Sequence, residues 1–195
     1  MNGERADPQG WRRVLLFSGH MIDAPGRPKP RFPAALEGAV ARAICAEVDA
    51  LGASPADVAV TSGACGGDIL FAESVLDRGV PTRIYLPFDE PTFLEKSVNF
   101  ANDRWPQRYR AVVARSTRFL APEVLGPSTD DIDPYERTNL WMVDEAHAIG
   151  GDNIVLVCLW DGGGGDGPGG TEHMIDAVRQ DGGEVRWIDI RRIKP

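Results

Sequence analysis

Cysteine is scarce. Only Cys45, Cys65 and Cys158 occur in 195 residues, an odd number, far apart and without a CxxC pair. That pattern excludes a disulfide framework and gives no cysteine-held metal site. Histidine is as rare: His20, His147 and His173 are scattered, with no metal-ligand spacing, so neither a metal nor another cofactor is expected. Long hydrophobic runs are missing too. The longest is Ile154 to Trp160, whereas a spanning helix needs about 20 apolar residues. Positive charge is in deficit, with 21 Lys and Arg against 29 Asp and Glu and a net charge of −8. Gripping nucleic acid through its phosphates takes clustered cations, so nucleic acid is not expected as a partner. A compact anion in a locally positive site stays compatible with that charge. The opening stretch, Met1 to Gln9, is polar and lacks the apolar segment of a secretory signal. The expectation is a cytoplasmic protein with no membrane partner.

What is present is an ordinary globular composition, 43% hydrophobic and 26% charged. The length fits a polar leader over 1–10 and a single domain over 11–195. Short apolar runs at 11–18, 57–61, 82–86, 116–120, 153–160 and 184–189 read as strands. Helical patterns lie between them, at 34–51, 68–77, 92–98, 105–114, 135–149 and 171–180. The clearest is the first, where Leu36, Val40, Ile44, Val48 and Leu51 form one apolar stripe ended by Gly52. The stretches 19–33 and 122–134 read as loops; the first holds four prolines. Strands buried on both faces and alternating with helices predict a Rossmann-like, doubly wound α/β fold. Its sheet is mainly parallel, about six strands wide, with helices on both faces.

In such a sheet the strand-to-helix loops emerge on one edge, and ligands bind where the strand order reverses. Three of these loops are unusual: Ser18-Gly19-His20, Thr61 to Asp68, and Asp161 to Thr171. In the second, the N–H groups of Gly63, Gly66 and Gly67, beside Ser62 and Cys65, are expected to cradle an anion at a helix start. The alternative is a tight turn capped by the Asp68 carboxylate. In the third, Gly169, Gly170 and Thr171 make the same case; Thr171 either caps its helix or gives its hydroxyl to a phosphate. Asp161 opens that loop. Arg27, Lys29 and Arg31 form a small basic cluster in which Arg27 is expected to clamp the anion. Asp23 either contacts a sugar hydroxyl or pairs with Arg27. Cys65 and His20 leave neighbouring strands, and a nucleophile–base pair is one reading of them; the other is that Cys65 fills a crowded turn.

Ser62-Gly63-Ala64-Cys65-Gly66-Gly67-Asp68, followed by Glu73, resembles the first glycine loop of the SLOG superfamily. Asp166-Gly167-Pro168-Gly169-Gly170-Thr171 resembles the second. Gly19-His20-Met21-Ile22-Asp23 and Leu86-Pro87-Phe88 extend the likeness, which covers most of 14–189. The superfamily includes the lonely-guy (LOG) proteins and sensor domains of bacterial defence and signalling systems. The resemblance implies a Rossmann-like fold that binds or senses a nucleotide-derived ligand and reports to an effector protein or pairs with a second copy. It also implies an alternative: hydrolysis or transfer at a nucleotide N-glycosidic bond, of the LOG phosphoribohydrolase or NAD-glycohydrolase type. Against the enzymatic pattern PGGxGTxxE, however, Gly170-Thr171 places Met174 where the catalytic Glu stands. Glu172 is two residues away, which turns a helical side chain by roughly 200°. Glu73, Glu172 and Asp68 are the candidate carboxylates for that chemistry.

Overall fold

The computed structural model describes residues 10–128, 131–150, 153–163 and 170–195. All but Gly10 of the expected leader lies outside them, as do Gly169 and the rest of 164–169.

Six strands form one parallel sheet: β1 Val14–Gly19, β2 Val58–Thr61, β3 Thr82–Leu86, β4 Thr117–Leu120, β5 Ile154–Trp160 and β6 Glu184–Asp189. Their spatial order is β4-β3-β2-β1-β5-β6, every pair parallel. The helices are α1 Glu37–Ala50, α2 Gly67–Leu76, α3 Glu90–Ser97, α4 Arg104–Val113, α5 Ala121–Val124, α6 Pro134–Gly150 and α7 Thr171–Gln180.

Strand side chains alternate between faces, so β1 feeds two cores. Leu15 and Phe17 pack with Ile44 of α1, Phe71 of α2 and Tyr109 of α4. Val14 and Leu16 pack on the other face with Met142 of α6 and Val178 of α7. The sheet is therefore covered on both sides, as a doubly wound fold requires. The chain steps outward from β1 to β4, then returns through α6 to place β5 on the free side of β1. The order reverses between β1 and β5, and the crevice at their C-terminal ends is the switch point.

At the opposite edge a buried carboxylate ties the strand starts together. Asp57 has no exposed side-chain surface and accepts from Arg12 Nε at 2.8 Å, from Arg13 Nε at 3.2 Å and from the Ser54 N–H at 3.0 Å. Arg12 and Arg13 are thus anchors ahead of the strand, and β1 begins at Val14 rather than at Trp11. The expected loop after β4 begins with a short helix, α5, started by Pro122 in its first turn. Among the described residues no helix is long and apolar enough to cross a membrane.

Candidate functional site

A cavity of about 460 Å³ opens at the switch point, within the size range of small-molecule sites. β1 delivers Ser18, Gly19 and His20 to it, and the loop after β2 delivers Ser62, Ala64 and Asp68. The end of β5 contributes Trp160, and the start of α7 contributes Gly170 and Thr171. Asp133, just before α6, and Tyr135, Glu136 and Asn139 of its N-terminal part also line the cavity. Arg31 reaches the cavity from the loop before α1.

The glycine loop after β2 is built differently from the anion cradle expected of it. The Ala64 N–H donates to Asp68 Oδ2 at 3.1 Å, and the Gly63 N–H also supports that carboxylate. The Cys65 N–H donates to the Ser97 carbonyl at 2.9 Å, and the Gly67 N–H to the His20 carbonyl at 3.1 Å. Of the expected cradle, the Gly63 and Gly67 N–H groups are thus directed to acceptors within the protein, Asp68 and the His20 carbonyl. The loops after β1 and β2 are zipped together by the Ile22 N–H to the Cys65 carbonyl (3.0 Å) and by an antiparallel bridge between Met21 and Gly66. Burial pushes the Asp68 carboxyl up to about 7, against the pull of the Ala64 and Gly63 N–H groups and the nearby Thr61 hydroxyl. The Thr61 Oγ1 itself makes no geometrically complete hydrogen bond.

The start of α7 forms another part of the cavity lining. Its first side-chain cap is absent, with Gly170 at the cap position and the first intrahelical bond running from the Met174 N–H to the Gly170 carbonyl. The amides of its opening turn lack intrahelical acceptors by geometry, and the helix dipole adds partial positive charge there. Thr171 neither caps the helix nor stands alone: its Oγ1 lies 3.0 Å from Ser18 Oγ, a hydroxyl pair joining α7 to β1 across the switch point.

His20 ties three segments together. Its N–H donates to the Leu159 carbonyl at 3.0 Å, its carbonyl accepts from Gly67, and its Nε2 accepts the Asp161 N–H at 3.1 Å. An amide can only donate, so Nε2 carries no proton and the neutral ring holds its proton on Nδ1. Burial lowers the His20 pKa, outweighing the Asp161 carboxylate 3.3 Å away; Arg31 and Arg27 push in the same direction as burial. For Asp161, burial opposes ionisation, but the Gly163 N–H and His20 hold its carboxyl below the usual range.

Other expected residues lie elsewhere. Asp23 accepts the Phe32 N–H at 2.9 Å and the Arg31 N–H at 3.0 Å, closing its own loop, and sits 3.5 Å from Arg27. Arg27 Nε donates to the Lys29 carbonyl at 3.1 Å. Neither lines the cavity; the residue of that basic cluster that does is Arg31. Asp161 lines a smaller neighbouring cavity, which also includes Arg31 and Arg191. Glu73 is outside both cavities and pairs with Arg108 (Nε to Oε1, 2.7 Å) on the outer side of α2. Glu172 is exposed on α7. Of the three carboxylate candidates, only Asp68 faces the cavity.

Cys65 is fully buried and its thiol is pushed up to about 12, chiefly by burial and further by Asp68. It fills the turn, where burial disfavours the thiolate. Cys158 is buried in β5 and pushed up likewise to about 12. A thiol reagent added to the native protein near neutral pH is therefore expected to label Cys45 first, with Cys65 and Cys158 reacting only on unfolding. Peptide mapping of the labelled protein checks this. Among the described residues, no group of three or more His, Cys, Asp or Glu is placed to hold a metal ion.

No family model matches the chain. No curated protein matches it either. Among solved structures, the chain is similar to the Moco Carrier Protein from Chlamydomonas reinhardtii, at 13% identity, 92% of each chain covered and a TM-score of 0.33. It is also similar to DNA processing protein A from Helicobacter pylori, described for its single-stranded DNA binding mode. That likeness has 16% identity, covers 91% of this chain and 77% of that one, and has a TM-score of 0.30. The fold rests on the sheet topology, not on these likenesses.

Proposed function

We propose that this chain binds a nucleotide or nucleotide-derived anion in the switch-point cavity, as a sensing module of the SLOG kind. The observation that carries the reading is the cavity itself. It is lined by Gly170 and Thr171 at the N-terminus of α7, by Arg31, and by the carboxylates of Asp133 and Glu136 with Tyr135. The helix N-terminus and Arg31 suit a phosphate. The two carboxylates offer acceptors for sugar hydroxyls, and Tyr135 an aromatic neighbour for a base.

Thermal melting with AMP, ADP-ribose, NAD and cyclic nucleotides at millimolar concentration tests it. At least one raises the melting temperature, because a ligand that binds only the native state stabilises it. Arg31→Ala weakens that ligand about tenfold or more, the scale of one lost charge-assisted bond. If no nucleotide moves the melting temperature, the reading is wrong.

One observation favours a second reading, cleavage at a nucleotide N-glycosidic bond. Asp68 is a cavity carboxyl that titrates at about 7, in the range that suits a general acid or base. Release of free base from AMP or NAD, abolished by Asp68→Asn, is its signature. Absence of any release leaves binding alone.

A further inference from the structure

We propose that His20 makes anion binding proton-linked: an anion enters the switch-point cavity together with one proton, which His20 takes up. The inference rests on the anion-binding reading above and names how that site is regulated.

The geometry supplies both states of the ring. In the structure Nε2 is an acceptor, holding the Asp161 N–H at 3.1 Å. The Asp161 carboxylate stands 3.3 Å from the same nitrogen, ready to receive a proton-bearing Nε2. Protonation therefore exchanges one bond for another. The proton comes from solvent, the N–H to Nε2 bond breaks, and Nε2–H donates to Asp161 Oδ1. The Asp161 amide, released from its acceptor, becomes a further donor at the loop beside the cavity.

Burial holds the ring in its neutral state until an anion arrives. Arg31 and Arg27, from the loop before α1, add to burial in disfavouring the imidazolium, and Asp161 favours it. Asp68 from α2, and Asp133 and Glu136 at the start of α6, line the same cavity. An anion at α7 and Arg31 offsets the arginine charge and adds a negative neighbour, so the bound state favours imidazolium. The sign follows. His20 titrates below its ordinary value in the free protein and higher in the complex. Binding therefore tightens as pH falls from the higher midpoint to the lower, and is flat outside that window.

The test uses sulfate and ADP-ribose, neither of which titrates between about pH 5.5 and 8.5, so any proton taken up in that range belongs to the protein. Isothermal titration calorimetry of the full chain, in buffers of different ionisation enthalpy, is expected to show proton uptake on binding. Affinity should rise with falling pH by up to about tenfold per pH unit, the limit for one proton. His20→Gln keeps an acceptor for the Asp161 N–H and cannot titrate in this range, so its affinity should change less than about twofold over the same interval. Asp68 is the rival proton acceptor; Asp68→Asn should leave the linkage intact.

Binding without proton uptake overturns this proposal and leaves the anion reading standing. So does pH dependence that survives in His20→Gln or vanishes in Asp68→Asn. No binding of either probe at any pH overturns both. Imidazole nitrogen NMR of the unaltered chain gives a second readout should His20→Gln not fold. It should show His20 as the Nδ1–H tautomer, its midpoint moving up on adding sulfate, and an unmoved midpoint sinks the idea.

Discussion

Asp57→Ala is expected to cost about 2–4 kcal/mol of folding stability, seen in a urea melt as an earlier midpoint at an unchanged slope. The carboxylate has no exposed surface and holds Arg12, Arg13 and the Ser54 N–H. Removing it leaves the Ser54 amide without its acceptor and the two guanidinium groups with only the Gly52 and Leu51 carbonyls. The upper range for a broken buried pair is about 5 kcal/mol. The figure is lowered here because Arg12 is 49% exposed and water screens it. The pH dependence has a definite sign. Burial raises the Asp57 pKa, but the bonds from Arg12, Ser54 and Arg13 together bring it below the ordinary value. Its stabilisation is therefore complete above the unfolded value of about 3.9, and disappears as pH falls through the lower folded value. In Asp57→Ala that acid-side loss should shrink. The site lies at the N-terminal edge of the sheet, away from the cavity, so any nucleotide-induced rise in melting temperature should persist in the variant.

Most of the fold was legible from residue order. The six strands are short apolar runs, and the helices between them carry apolar stripes or breaks at Gly and Pro, so type and sequence order follow from periodicity. α5 escaped notice because Ala121 to Val124 is one turn, too short to show a period. The switch-point edge was legible as well, since parallel strands put Ser18, Ser62 and Thr171 on one side of the sheet. The helix after β4 must start at that same edge. That signal could have brought Tyr135 and Glu136 into the site, but nothing local to 133–139 announces it. Least legible was the destination of the loop amides. The acceptor for Cys65 is the Ser97 carbonyl, and that for Gly67 is the His20 carbonyl. Both are distant in sequence and reach the loop only through tertiary packing. A glycine-rich turn looks the same in sequence whether its N–H groups face a ligand or the protein.

Gly66→Ala separates those two possibilities with the other large effect. Gly66 has φ +108° and ψ −125°, a region L residues scarcely visit. A Cβ there would stand 2.4 Å from the Ile22 nitrogen and 3.0 Å from both the His20 oxygen and the Met21 carbonyl carbon. These are backbone atoms, and no rotamer change relieves them. Gly52→Ala is the control: φ is +58° and the space around it is open, so it carries only the left-handed strain of about 1–2 kcal/mol. Gly66→Ala adds the clash and loss of the Ile22–Cys65 and Gly67–His20 bonds, so its cost should exceed about 3 kcal/mol. Amide exchange at Ile22 and Gly67 should accelerate together, because the two loops part as a unit. The hydroxyl pair of Ser18 and Thr171, on the other side of β1, is not part of that contact. If instead Gly66→Ala costs no more than Gly52→Ala, the loops after β1 and β2 are not zipped as described. The Gly67 amide would then be released from the His20 carbonyl, and the proposed anion site would extend to it.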